Sequence, residues 1–253
     1  MKKLFLSFIA ISMASLYSLT ARAERVAPTF PEAQTLESGG TYYLYNVGSG
    51  RYIYRDGNDE RGSFTSRSSV FITDLGDGTY TIQYSSNNYY FYATDARMQN
   101  SGNPSTNYRR FRITETEGGY HIQKNYNYDA TQYVVDDPDC YYIRTDHTSG
   151  NIVWQLLKVD ETDNYCAKKA LYDALVAAEV NYAWAIADFE AIYENEASTT
   201  AELNAAATAL NKRISMSNGY QAPWWNERPI LFYTADGNFG QNESYTWALP
   251  NNN

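Results

Sequence analysis

The chain has 253 residues and a formal net charge of −9, with 25 tyrosines but two histidines and two cysteines. So acidic and tyrosine-rich a chain argues against nucleic acid, whose phosphates demand a basic patch, and against anionic membranes as partners. The charge serves solubility, and the length allows one large domain or two small ones.

Lys2 and Lys3 precede an apolar run from Leu4 to Leu16, too short to span a bilayer. Ala21-Arg22-Ala23 places small residues at the two positions a signal peptidase reads. A signal peptide over 1–23, cleaved after Ala23, is expected, and with it a secreted or periplasmic product; a short membrane anchor is the competing reading. Loss of Lys2, Lys3 and Arg22 moves the charge to −12. Residues 24–39 read as a linker.

From residue 40 the chain repeats itself. Thr41-Tyr42-Tyr43-Leu44 returns as Thr79-Tyr80-Thr81-Ile82 and as Gly119-Tyr120-His121-Ile122, and Tyr52-Ile53-Tyr54 returns as Tyr90-Phe91-Tyr92 and Tyr133-Val134-Val135. Each unit closes on an aromatic, Phe71, Phe111 or Trp154, just before an aliphatic. Turn signals at Gly48-Ser49-Gly50, Gly76-Asp77-Gly78, Ser86-Asn87-Asn88 and Gly118-Gly119 leave room for about four short strands per unit. One such unit cannot bury its apolar face alone, whereas three can close on one another.

Three tyrosine-rich, all-β repeats of roughly forty residues resemble the β-trefoil over 40–160. The opening "YYLYNVGSGRYI" is most similar to the ricin-type lectin domains of exported bacterial proteins. Repeats of that family end Gln-x-Trp; here the triplets are Ser69-Val70-Phe71, Arg109-Arg110-Phe111 and Ile152-Val153-Trp154, of which the third alone keeps Trp. The resemblance implies a non-catalytic module that binds a glycan or glycoconjugate without cofactor or metal. Its pockets use an acid just after the second strand of each repeat, with an aromatic and an amide nearby. Carried over, the acids are Asp56, Asp95 and Asp136. The aromatics are Phe64, Tyr108 and one of Tyr141 or Tyr142, and the amides are Asn58, Asn107 and Asn151. Aspartates after strands also cap turns, and tyrosines suit half-buried strands by propensity alone.

After Asp160 the pattern changes. Thr162 to Asn195 holds no Gly or Pro, and Leu171, Leu175, Ala178, Tyr182, Ile186, Phe189 and Tyr193 recur by threes and fours, one face of a helix. Thr199 with Glu202 forms a capping box, and a second apolar stripe runs through Leu203, Ala207, Leu210 and Ile214 to a stop at Asn218-Gly219. The expected fold class is mainly β with an appended α-hairpin: a β-trefoil over 40–160 and two helices over 162–218. The second helix resembles spacer repeats of bacterial surface proteins. Cys140 and Cys166 would staple the two parts if they pair; otherwise they are free thiols. The tail, 219–253, carries Trp224, Trp225 and Trp247 and two strand-like pieces, Ile230 to Thr234 and "SYTWAL"; it is packed on the helices, the start of a truncated domain, or a polar linker cut short.

No catalytic signature emerges. His121 and His147 lack metal-site spacing, Cys140 lacks a nucleophile's context, and there is no G-x-S-x-G elbow or phosphate loop. "DGNDE", Asp56 to Glu60, misplaces the Gly and Glu of a calcium loop. The acids Asp136, Asp137 and Asp139 read as a solvated loop. Two other functions compete with the lectin: the targeting and spacer portion of a larger secreted glycan hydrolase, and a protein-interaction or protease-inhibitor trefoil presenting the loop Gln99 to Asn107.

Overall fold

The structure, a computed structural model, describes residues 25–182 and 186–219. The expected signal peptide and the tail beyond Gly219 lie outside them.

Four strands come from each repeat. The first supplies β1 (Gly40–Asn46), β2 (Arg51–Asp56), β3 (Asp59–Ser63) and β4 (Val70–Asp74). The second supplies β5 (Tyr80–Tyr84), β6 (Tyr90–Ala93), β7 (Met98–Ser101) and β8 (Phe111–Thr116). The third supplies β9 (Gly119–Lys124), β10 (Tyr133–Val135), β11 (Arg144–His147) and β12 (Val153–Lys158). The order β12-β9-β8-β5-β4-β1 closes into a ring because β12 also pairs with β1, and β2–β3, β6–β7 and β10–β11 form three hairpins. A closed six-strand ring with three hairpins is the strand order of a β-trefoil, and closure removes the ring's exposed edges. The repeats are called lobes 1 to 3 below.

Alternation along the ring strands fills the interior in layers. One layer consists of the facing aliphatic pairs Leu44–Leu156, Ile72–Ile82 and Ile113–Ile122. The next consists of Asn46–Trp154, Val70–Tyr84 and Phe111–Lys124, all buried. The third member of the closing set is therefore Val70. Phe71, expected from its aromatic character, is 37% exposed on the outer face. The pairs explain the exchange: Tyr84 already fills the space opposite Val70, while Trp154 faces the small Asn46. Core volume is met pair by pair, so an aromatic is needed on one strand only.

Residues 25–39 are no linker. Arg25 pairs with Glu179 at 2.8 Å and Glu190 at 2.5 Å, and the Tyr193 hydroxyl donates to the Val26 carbonyl at 2.6 Å. Phe30 packs between Tyr45 and Tyr165, Ala33 bridges to Leu157, and the Leu36 amide donates to the Tyr120 hydroxyl at 2.9 Å. The segment straps the helical unit to the barrel.

Among the described residues the helical part has three helices where two were expected: α1 (Val159–Tyr182), α2 (Ala187–Glu194) and α3 (Thr200–Gly219). A helix unbroken to Asn195 would run about 50 Å, against about 30 Å for α3, leaving its far apolar face uncovered. Folding back brings Ile186, Phe189 and Tyr193 into one core with Leu171, Leu175 and Ala178 of α1 and Leu203, Ala207 and Leu210 of α3. The capping box forms as expected. The Thr199 amide donates to Glu202 Oε2 at 2.8 Å and the Glu202 amide to Thr199 Oγ1 at 3.2 Å, which holds the Glu202 carboxyl below its usual range.

α1 follows β12 without a break and meets the barrel through Asp163, which accepts from Arg67 Nη2 at 2.6 Å and from the Tyr43 hydroxyl at 3.1 Å. Cys140 and Cys166 are free thiols. Cys166 lies 3.9 Å from the Tyr52 hydroxyl on the barrel face toward α1, whereas Cys140 lies beside Asp137 and Arg144 in the lobe-3 hairpin.

Candidate functional site

The last residue of the first strand in each lobe points into the seam with the lobe before it. These positions are Asn46, Tyr84 and Lys124, each buried. What they hold determines how the three predicted acids are used.

At the lobe 3–lobe 1 seam, the Asn46 side chain donates to the Asn151 carbonyl at 2.7 Å and accepts from the Ser49 amide at 3.0 Å. Asn151 Nδ2 donates to the Asp136 carbonyl at 2.9 Å. The Asp136 carboxylate, 2% exposed, accepts from Arg51 Nε at 2.8 Å, Arg51 Nη2 at 2.5 Å and Ser49 Oγ at 2.5 Å. A Cβ on Gly62 would stand 2.5 Å from Asp136 Oδ1 and 2.7 Å from Arg51 Nε, so a side chain there would have to displace the ion pair. Asp136 and Asn151 do come together, but as a buried bidentate ion pair and its support. They are corrected from ligand contacts to structural ones. Asp136 sits two positions after the buried Val134, whereas Asp56 sits three after Ile53 and Asp95 four after Phe91. That difference in offset turns Asp136 inward. The "NVGSGR" stretch of the lectin-like opening supplies Asn46, Ser49 and Arg51 to this seam.

At the lobe 1–lobe 2 seam, the Tyr84 hydroxyl donates to Glu60 Oε2, and Glu60 Oε1 has no hydrogen-bond partner among the described residues. Glu60 is fully buried where the hairpins meet: its carbonyl accepts from the Ile143 amide at 2.8 Å, and the Ile143 carbonyl accepts from the Met98 amide at 2.9 Å. Burial pushes its carboxyl up to about 8, with Asp59 adding to the rise and Tyr84, Asn100 and Arg55 opposing it. Asp56, the predicted acid of this lobe, pairs with Arg61 at 2.6 Å. Asn58 and Phe64 are exposed, Phe64 at 71%. Arg61 in turn lies 3.2 Å from the ring centroid of Tyr141, and Arg97 lies 5.4 Å over Tyr142. Tyr141 and Tyr142 therefore sit against the hairpin cations of lobes 1 and 2, not in a pocket with Asp136.

At the lobe 2–lobe 3 seam, Lys124 Nζ donates to the backbone carbonyl of Asp95 at 2.9 Å. That bond pins the turn and leaves the Asp95 carboxylate exposed, with no ion-pair partner among the described residues. The Ala93 amide donates to the Tyr108 carbonyl at 3.0 Å, which sets Tyr108 beside this turn. Tyr108 stacks on Tyr126 with centroids 4.0 Å apart and planes 29° from parallel. A hydrogen bond with Tyr126 raises the Tyr108 hydroxyl pKa above the usual phenol range, with smaller contributions from desolvation, Tyr126 and the nearby Asp95 charge. Asn107 is exposed next to this stack. Asp95, Asn107 and Tyr108 are thus the one predicted set brought together and left open to solvent. Half-exposed rings beside an unengaged carboxylate suit a ligand with a C–H face and hydroxyl donors.

Two residues of this site, Lys124 and Tyr126, were not expected, because they belong to lobe 3 while Asp95 and Tyr108 belong to lobe 2. The signal in the sequence was "KNYNYD", Lys124 to Asp129, an alternation of amides and tyrosines just past a strand. Asn127 in that loop has φ 46°, the one non-glycine in the left-handed region among the described residues. Asn tolerates that conformation better than most residues, and strained backbone clusters at functional sites.

The remaining candidates are structural. The expected inhibitor loop, Gln99 to Asn107, begins within β7, where Asn100 is buried and its side chain binds the Gly57 carbonyl at 3.1 Å. His121 packs its ring 4.8 Å from that of Tyr133. Among the described residues no cluster of His, Cys, Asp and Glu is placed to hold a metal ion, and no helix is long and apolar enough to cross a membrane.

No family model and no curated protein matches the chain. Among solved structures it is similar to the crystal structure of a designed 3-fold symmetric protein, ThreeFoil, over 47% of this chain and 99% of that one, at 14% identity and a TM-score of 0.40.

Proposed function

We propose that this chain is an exported, non-catalytic, ricin-type glycan-binding module whose working site is in lobe 2. The observation that carries the reading is the unengaged carboxylate of Asp95, held outward by Lys124 beside the Tyr108–Tyr126 stack. A carboxylate accepting from vicinal hydroxyls, with an aromatic packed on the sugar's C–H face, is an economical recognition set. The aromatic adds contact area with little rotamer entropy to lose. Lobes 1 and 3 are silent in this reading because Asp56 and Asp136 are occupied by Arg61 and Arg51.

The test is a glycan array with the chain from Glu24 onward, followed by titration of the best ligand. Asp95→Ala should abolish binding, while Asp56→Ala should leave it within about twofold, as expected of an exposed, separate ion pair. Silence across plant, mucin and microbial glycans, or full binding by Asp95→Ala, overturns the reading. Export is tested separately: N-terminal sequencing of the secreted product should begin at Glu24.

A further inference from the structure

The arginines of the barrel unit fall into two groups. Six of them, Arg51 and Arg61 among them, are each neutralised by an aspartate at 3.3 Å or less. Arg112 is not. Its Nε donates to Asn125 Oδ1 at 3.1 Å, and its guanidinium lies 4.5 Å over the ring of the exposed Tyr128. It has no acidic partner among the described residues, and neither does Arg109, whose guanidinium lies 4.9 Å over Tyr90. Arg55 is likewise without an ion pair among the described residues, its Nε bound to the Gly57 carbonyl and to Asn100 Oδ1; the other two such arginines of the barrel, Arg109 and Arg112, stand on either side of the start of β8, just past Tyr108.

Arg112 is tied to the candidate site through one loop. Asn125 and Tyr128, which fix its guanidinium, flank Tyr126, the residue stacked on Tyr108. Lys124, at the base of the same loop, brings a buried ammonium beneath Asp95. A guanidinium held flat by a ring and anchored through Nε keeps its two terminal nitrogens for an outside acceptor, and its fork matches a carboxylate or a sulfate.

We propose that the lobe-2 site takes an acidic glycan, whose uronate carboxylate or sulfate group is bound by Arg112 while Asp95 accepts from its hydroxyls. The proposal rests on the glycan-binding reading above and narrows it to a ligand class. Arg109 contributes positive potential without direct contact.

The experiment is calorimetric titration of the chain from Glu24 onward with three probes of equal length, each at low and high salt: oligogalacturonate, chondroitin sulfate oligosaccharide and neutral galacto-oligosaccharide. At least one acidic probe should bind, with affinity falling as salt rises, and the neutral probe should bind at least tenfold more weakly, about the worth of one charge-assisted hydrogen bond. Which acidic probe wins distinguishes carboxylate from sulfate. Arg112→Gln should cost about tenfold for the acidic probe and nothing for the neutral one, Arg112→Lys should restore part of the loss, and thermal melts should show both variants folded. Equal, salt-insensitive binding of all three probes, or an unchanged affinity in Arg112→Gln, overturns the acidic-ligand proposal and leaves the glycan reading standing. Binding of none of the probes, with a silent array, removes both.

Discussion

The seam between lobes 3 and 1 and the seam between lobes 2 and 3 are built on the same register position, yet they use their acids in opposite ways. At the first, Asn46 is short, and Ser49 and Arg51 reach past it to draw the Asp136 carboxylate inward. At the second, Lys124 is long and binds the Asp95 carbonyl instead, so the carboxylate is left facing water. The third seam, with Tyr84 on Glu60, buries a carboxyl that has no ion pair among the described residues. One position, filled by Asn, Tyr or Lys, thereby separates an acid that holds the fold from an acid left open to solvent.

Breaking the first seam should have the largest effect. Arg51→Ala leaves the Asp136 carboxylate buried and unpaired, so denaturant unfolding should show a loss of about 3–5 kcal/mol with ligand specificity unchanged in the protein that remains folded. An effect below about 1 kcal/mol would mean that water replaces the guanidinium and that the seam is looser than described.

The middle seam is tested by pH. A carboxyl pushed up to about 8 in the folded chain, from an ordinary value of 4.5, favours its neutral form. Its stabilising contribution is therefore complete below pH 4.5, declines as pH rises toward 8, and is constant beyond. Glu60→Gln removes that titration. The stability of the variant relative to the parent should rise with pH across this window, by about 1.4 kcal/mol per pH unit at most. A pH-independent difference would show that Glu60 ionises as readily folded as unfolded.

The contrast sharpens at the lobe 2–lobe 3 seam. Lys124→Met deletes a charge-assisted bond but also a buried charge, so stability should fall by only about 1–2 kcal/mol, while ligand affinity falls further because the Asp95 turn is no longer pinned. Asp95→Ala should have the smallest effect on stability, within about 0.5 kcal/mol, and the largest on binding. The pair Asp136 and Asp95 thus makes a double dissociation, readable by thermal melting and titration on the same samples.

Much of the architecture was legible beforehand. The threefold recurrence of Tyr-x-Leu/Ile openings placed β1, β5 and β9, and the turn signals divided each repeat into four strands, because alternation and turn chemistry act over a few residues. The capping box at Thr199 and Glu202 was readable for the same reason. The interior position of lobe 1 was not. Phe71 looks like Phe111 and Trp154, but which of two adjacent residues points inward is set by register with the facing strand, where Tyr84 fills the space beside Val70. The break between α1 and α2 was equally hidden, since Ile186, Phe189 and Tyr193 continue the helical period unbroken; only the length of α3 limits how far that face can be covered. For the candidate site, Asp95, Asn107 and Tyr108 came from the lectin resemblance, which assigns an acid after the second strand with an aromatic and an amide nearby. Lys124 and Tyr126 did not, because they lie in the next repeat.

Local patterning along the chain is enough to specify that three similar units, each with one apolar face and short turns, close on one another and are followed by capped amphipathic helices. These are consequences of local periodicity and local hydrogen bonding. Which aspartate is available is settled by packing between the repeats. Whether a carboxylate is buried against Arg51 or left in water depends on groups from the neighbouring repeat, and on a two-, three- or four-residue offset from a buried anchor. Such offsets have no energetic meaning until the repeats are packed, when desolvation makes an unpaired inward charge too costly to keep.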